Sequence, residues 1–154
     1  MQHNRSRGTR IEHIFAHALR KQGLHYRRND TGIEGSPDFT FRLEKVAIFC
    51  DGEFWHGRDY PDCLKRIKTN RSFWVKKIER NRSRDQKVDK HLTEQGWCVL
   101  HFWESDIRKR TELCINQVVA ILGQRQLPRL HRSYSYDTQY DDLLFAAEED
   151  ESYK

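Results

Sequence analysis

The chain has 154 residues, enough for one domain with a single buried core and too few for two. Its 28 Lys and Arg against 23 Asp and Glu give a net charge of +5, but seven acids and one lysine place −6 within residues 137–154 and leave +11 on residues 1–136. A body this basic reads as a binder of polyanions, nucleic acid above all, and no apolar run approaches the roughly 18 residues that would span a membrane.

Residues 1–10 are polar and basic, without the apolar stretch of a secretory signal. Cys50, Cys63, Cys98 and Cys114 are scattered with no CxxC, so reduced thiols in a cytoplasmic protein are expected. Thr9 is placed to cap a helix with Ile11, Phe15, Ala18 and Leu19 on one face, ended by Gly23. A short strand is expected over 24–28, then turns at Asn29-Asp30-Thr31-Gly32 and Gly35-Ser36-Pro37. Phe39 to Leu43 alternates as a strand does. Val46 to Cys50 is continuously apolar, as in a strand buried on both faces.

Residues 52–70 read as an irregular stretch rich in aromatics and bases. Ser72 is the expected cap of a long, mostly wet helix reaching about Gln95, with Val75, Ile78, Val88 and Leu92 inward and Gly96 after it. Trp97 to Trp103 reads as a second buried strand. Thr111 opens a last helix with Leu113, Val118, Ile121 and Leu122 inward and Gly123 closing it. The order suggests an α/β fold: a small mixed β-sheet flanked by helices on both faces. The domain is drawn at 1–126. Residues 127–154 form a polar and acidic tail, expected to be partly disordered and available to dock a protein partner.

The chemistry-bearing residues crowd the ends of the central strands. Asp38 opens one strand and Asp51 closes its expected antiparallel neighbour, so the turn at Glu44-Lys45 makes them partners at the open end of a hairpin. Two such carboxylates repel unless a cation lies between them, and Mg²⁺ takes one or two carboxylates while keeping positions for water and phosphate oxygens. His56 follows a few residues on, beside Phe54 and Trp55.

Pro37-Asp38-Phe39, the run from Ala47 through Asp51-Gly52-Glu53-Phe54-Trp55-His56-Gly57, the run Arg71-Ser72-Phe73-Trp74 to Asn81, Arg84-Asp85, Gln95-Gly96-Trp97 and Phe102-Trp103-Glu104 together resemble the very short patch repair (Vsr) endonucleases of the PD-(D/E)XK superfamily. The likeness runs in order from about Arg5 to Leu122. It implies the restriction-endonuclease-like fold. It also implies Mg²⁺-dependent nicking of double-stranded DNA on the 5′ side of the T in a T·G mismatch, in a cytoplasmic enzyme that is nucleoid-associated when bound to DNA. Position by position, it makes Asp38 the principal metal-binding aspartate and Cys50 a donor through its backbone carbonyl. His56 becomes the histidine of proton transfer, Asp85 its acidic partner and Glu12 an acid near the metal waters. Phe54, Trp55 and Trp74 become aromatics that wedge between base pairs. Lys65, Arg66, Lys68, Arg71 and Lys77, with Lys76, Arg80, Arg82 and Arg84, are placed to track phosphates.

The chain also departs from the family. Cysteines of the family's structural zinc site fall at Glu53 and Ser105, and Cys63 stands alone between, so no structural zinc is expected and salt bridges should hold this loop. Asp51 stands where the best-known members have histidine, which adds a second acidic candidate ligand for metal, with Glu53 as a third. Two alternatives stay open: a Vsr-like nuclease of a restriction or defence system not limited to mismatches, and a DNA-binding module without catalysis.

Overall fold

Residues 46–51 form the strand around which the fold is built, and it carries apolar side chains on both faces. The computed structural model describes residues 9–130. In chain order these form α1 (Arg10–Lys21), β1 (Arg27–Arg28), β2 (Phe39–Phe41), β3 (Val46–Asp51), α2 (Glu53–His56), a 3-10 turn (Asp62–Arg66), α3 (Arg71–Glu94), β4 (Cys98–Trp103), α4 (Glu104–Lys109) and α5 (Thr111–Leu130). The sheet has the order β1-β2-β3-β4. β3 pairs antiparallel with β2, Phe39 opposite Ile48, and parallel with β4, Asp51 opposite Trp103. The sheet is therefore mixed.

Alternation along β3 separates two cores. Val46 and Ile48 pack with Phe15 and Leu19 of α1, Ile107 of α4 and Val118 of α5. Phe15 meets Phe39 and Phe102 with ring centroids 5.3 Å apart, within the range of favourable aromatic pairs. Ala47 faces the other way, with Leu92 of α3 and Trp97. α1 and α5 thus cover one face and α3 the other. Cys50, Cys63, Cys98 and Cys114 are all thiols. Among the described residues, no helix is long and apolar enough to cross a membrane.

Several elements differ from the sequence expectation. α3 starts at Arg71, because Asn70 takes a left-handed backbone (φ 50°) and its carbonyl accepts the Trp74 N–H. Asparagine tolerates that conformation, so the cap is Asn70 and not Ser72. β1 has only two residues, and β2 stops at Phe41 where Lys45 (φ 55°) completes the turn. α5 does not end at Gly123; it runs on to Leu130, past the boundary drawn at 126. Its inward residues include Cys114 and Ile115, whereas Leu113 is 60 % exposed. The acidic tail lies outside the described residues.

The short helices α2 and α4 were not expected. Each turns the chain directly out of a parallel strand, at Asp51 and at Trp103. α2 ends at Gly57, whose positive φ (65°) most side chains would resist. A Cβ there would also lie 2.9 Å from Ile78 Cγ2, so glycine lets α2 close onto α3.

Candidate active site

The ends of α1, β2 and β3 meet in a cleft of about 1180 Å³. Thr9 accepts the Glu12 N–H at 3.5 Å, which starts α1 and fixes Glu12 in its first turn. The hairpin brings Asp38 beside β3, where one of its oxygens accepts the Cys50 N–H at 2.7 Å. Glu12, Asp38, Cys50 and Asp51 all line the cleft, as do His56 and Asp85. Six of the seven residues read from the sequence as catalytic or metal-binding therefore share one cavity.

Burial, together with the facing carboxylates of Glu12 and Asp51, pushes the Asp38 carboxyl up to about 7 despite the Cys50 N–H. Burial likewise pushes the Cys50 thiol well up, so it stays protonated and its peptide group is what it offers the site.

His56 is held from two sides. Asp85 lies 2.6 Å from its Nδ1 and Asp51 3.8 Å from its Nε2. Burial works against the charged imidazole, yet the two carboxylates outweigh it and the pKa rises. A second histidine stands beside it. His101, on β4, contacts Asp51 Oδ2 through Nδ1 at 2.6 Å and Asp89 through Nε2 at 2.8 and 2.9 Å. Here too burial opposes the charge and the carboxylates prevail, to about 9. Neither His101 nor Asp89 stood out in the sequence. The available signal was alternation on β4, which puts His101 on the face toward α3, and the four-residue spacing from Asp85 to Asp89.

The aromatics gather at the cleft's edge. Phe54, Trp55 and Trp74 pack edge-to-face, with centroids 5.3–5.4 Å apart, and Phe73 joins at 5.0 Å from Trp74. Lys77 Nζ stands 4.9 Å above the Trp55 ring. None of them belongs to either core, and Phe54 and Phe73 are 46 % and 59 % exposed. The Asn81 side chain holds the Trp55 carbonyl at 3.0 Å.

A sequence profile described as DNA mismatch endonuclease Vsr matches residues 1–62. The chain is 47 % identical over 126 residues to the type II nicking enzyme V.NmeDIP of Neisseria meningitidis serogroup C, covering 82 % of this chain and 85 % of that one. It is 40 % identical over 147 residues to the type II nicking enzyme V.NaeI of Lentzea aerocolonigenes, covering 92 % and 81 %. It is 38 % identical over 108 residues to the DNA mismatch endonuclease Vsr of Escherichia coli K12, covering 70 % and 69 %.

This chain belongs to the Vsr endonuclease family. It is a DNA endonuclease, and its mixed sheet between helices is the restriction-endonuclease-like fold of that family.

Within this Vsr-family cleft the cations are Lys77, Arg84, Arg10 and Arg108, of which Arg10 and Arg108 were not singled out in the sequence. Lys65, Arg66, Lys68 and Arg71 do not line it. Lys65 pairs with Asp62 at 3.2 Å, Arg66 with Asp59 at 3.9 Å, and Arg71 donates to the carbonyls of Leu64 and Ile67, so Arg71 ties the loop to α3.

Glu53 is also not in the cleft. Its Oε1 accepts the Ser105 N–H at 2.9 Å and an Arg58 N–H at 3.2 Å, and the Ser105 interaction leads in holding its carboxyl below the usual range. Arg58 reaches Asp106 at 3.5 Å and stacks over Trp103 at 5.6 Å. This polar cluster joins α2 to α4, and it uses the Glu53 carboxylate that the sequence offered as a third metal ligand.

The donor set suits a hard divalent cation. Among the described residues, no three His, Cys, Asp or Glu side chains are grouped as a metal cage. Mg²⁺ needs no cage, because one or two carboxylates suffice and water completes the shell. The setting of Asp38 fits such an ion: its carboxyl is raised by burial first and by the carboxylates of Glu12 and Asp51 after it, and a cation would offset both.

Proposed function

We propose that the protein is a Mg²⁺-dependent endonuclease that nicks one strand of duplex DNA beside a T·G mismatch. The observation that carries this reading is the convergence of Glu12, Asp38 and Asp51 with the His56–Asp85 pair in one cleft edged by Trp55. The names of the relatives, mismatch endonuclease and nicking enzyme, support it.

Asp38, Asp51 and the Cys50 carbonyl would hold the metal, which when bound supplies an activated water and charge stabilisation at phosphorus. The other roles belong to the chain. Lys77, Arg84, Arg10 and Arg108 draw the phosphates into the cleft. His56, kept in one orientation by Asp85, moves a proton at Nε2. Phe54, Trp55 and Trp74 offer apolar faces to an unstacked base step, and a mismatched step costs least to open.

The test is cleavage with Mg²⁺ of a matched duplex and a T·G duplex, each strand labelled in turn, beside Asp38→Ala. A nick confined to the T-bearing strand of the T·G duplex is the expected result. Equal cleavage of both would discard mismatch specificity and favour restriction or defence, a reading that the nicking-enzyme names of several relatives also allow. No cleavage of either would leave a binding module.

A further inference from the structure

His101 has no place in the chemistry above, yet it is one of the most constrained side chains in the cleft. Its ring lies parallel to that of Phe49, with centroids 5.0 Å apart and planes 13° from parallel. Asp51 and Asp89 contact its two nitrogens at 2.6 and 2.8 Å. Each ring nitrogen thus faces a carboxylate oxygen within hydrogen-bond distance. The three contacts leave the ring no freedom to turn.

That rigidity is passed to Asp51. The Asp51 side chain is 8 % exposed, and His101 engages its Oδ2 while Oδ1 faces His56 Nε2 at 3.8 Å. A carboxylate is planar, so fixing one oxygen fixes the direction of the other. We propose that His101, anchored by Asp89, is a positioning residue that sets Asp51 and, through it, the orientation of His56. The proposal rests on the reading of His56 as the proton-transfer residue. Without His101, Asp51 would lie beside Asp38 and Glu12 with only the 3.8 Å contact to His56 to hold it, and their repulsion would turn it away.

The two nitrogens allow the proposal to be taken apart. Asparagine places its side-chain amide close to where Nδ1 stands, so His101→Asn keeps a polar contact to Asp51; His101→Leu keeps bulk and loses both nitrogens. Asp89→Ala removes the anchor alone. These variants and His56→Ala would be compared on the labelled T·G duplex with Mg²⁺, kcat being read apart from KM for DNA. The imidazole ¹⁵N resonances of His56 would be recorded in protein without metal or DNA.

His101→Leu should lower kcat about 10- to 100-fold, the usual range for residues supporting a site's primary groups, with KM within about twofold. His101→Asn should recover to within about threefold of the parent, Asp89→Ala should fall between, and the His56 resonances should shift in the leucine variant, less in Asp89→Ala and not in the asparagine variant. If His101→Leu does not fold, the asparagine and Asp89→Ala variants carry the same comparison. A folded His101→Leu protein cutting at the parental rate would overturn the proposal, as would His56 resonances that do not respond. Full activity in His56→Ala would overturn the underlying reading and this one with it; an inactive His56→Ala beside an active His101→Leu would overturn this one alone.

Discussion

Asp85 and Asp89 lie one turn apart on α3, and each grips a different histidine of the cleft: Asp85 holds His56 Nδ1 at 2.6 Å and Asp89 holds His101 Nε2 at 2.8 Å. Asp51, at the end of β3, faces both rings. The side of α3 turned to the sheet is thus a ruler of two carboxylates, and it explains why a helix so sparsely apolar is kept in register. Ile78 and Leu92 bury its ends while Asp85 and Asp89 fix its middle.

Asp38 is the residue on which cleavage should depend most. Asp38→Ala removes the carboxylate that meets the Cys50 N–H and faces Glu12 and Asp51. Cleavage should drop below a few per cent of the parent. DNA affinity in the absence of metal should hold or rise, since a negative charge leaves a cleft that takes phosphates. Gel shift and nicking on the same labelled duplex check both, and retained cleavage would remove Asp38 from its assigned role.

The raised Asp38 also sets a pH dependence for the metal. Its folded pKa of about 7 exceeds the ordinary 3.8, so folding favours the protonated acid and stability falls as pH rises between those values. His101, raised to about 9 from 6.5, contributes stability that is whole below 6.5 and is lost as pH climbs through 9. Without metal, the melting temperature should therefore fall steadily from pH 5 to pH 9. Mg²⁺ competes with the proton on Asp38, so its stabilisation should be larger at pH 8 than at pH 5 and absent in Asp38→Asn. Thermal melts at the two pH values decide it; equal gains would mean the metal binds elsewhere.

Asp38 and Asp51 were legible because each sits at a boundary that local chemistry marks, Asp38 after Gly-Ser-Pro and Asp51 at the end of an apolar run, whereas Glu12 and Asp85 came only from the family resemblance. Two things were hidden. His101 lies inside β4, which was expected to be buried but is only half-buried apart from Phe102; alternation gives its face but not its neighbours, and its partner Asp89 comes from an element twelve residues away. The short helices α2 and α4 were hidden for another reason. Four and six residues are too few for periodicity, and α4 is held by tertiary contacts such as Arg58 to Asp106.

Trp55 should matter more for mismatched than for matched DNA. It lines the cleft, packs edge-on to Phe54 and Trp74, and lies under Lys77. A ring offered to the stack acts where the stack opens easily, and stacking on an aromatic contributes about 1–3 kcal/mol per base. Trp55→Ala should therefore weaken binding to a T·G duplex by at least about fivefold more than to the matched duplex, with the melting temperature of the protein little changed. Competition binding on the two duplexes measures the ratio. A ratio of one, with a large drop in melting temperature, would make Trp55 a packing residue.

Asp30 prepares the site from a distance. It accepts from Thr40 at 2.6 Å and from Arg42 at 2.6 and 2.8 Å, and backbone bonds from Asn29 and Asp30 to the carbonyls of Asp38 and Pro37 close the loop that delivers Asp38. The Arg42 hydrogen bond leads in holding its carboxyl down at about 2, against the cost of burial. The sign is that of a depressed acid: the contribution to stability is complete above the ordinary 3.8 and is lost as pH falls through about 2. Asp30→Asn should therefore melt below the parent at pH 7, and the gap should close as both are taken toward pH 2. The same variant should lower the cleavage rate at pH 7 without touching the cleft, because Asp38 loses part of its support. A gap that is constant from pH 7 to pH 2 would show that hydrogen-bond geometry, not charge, holds this loop.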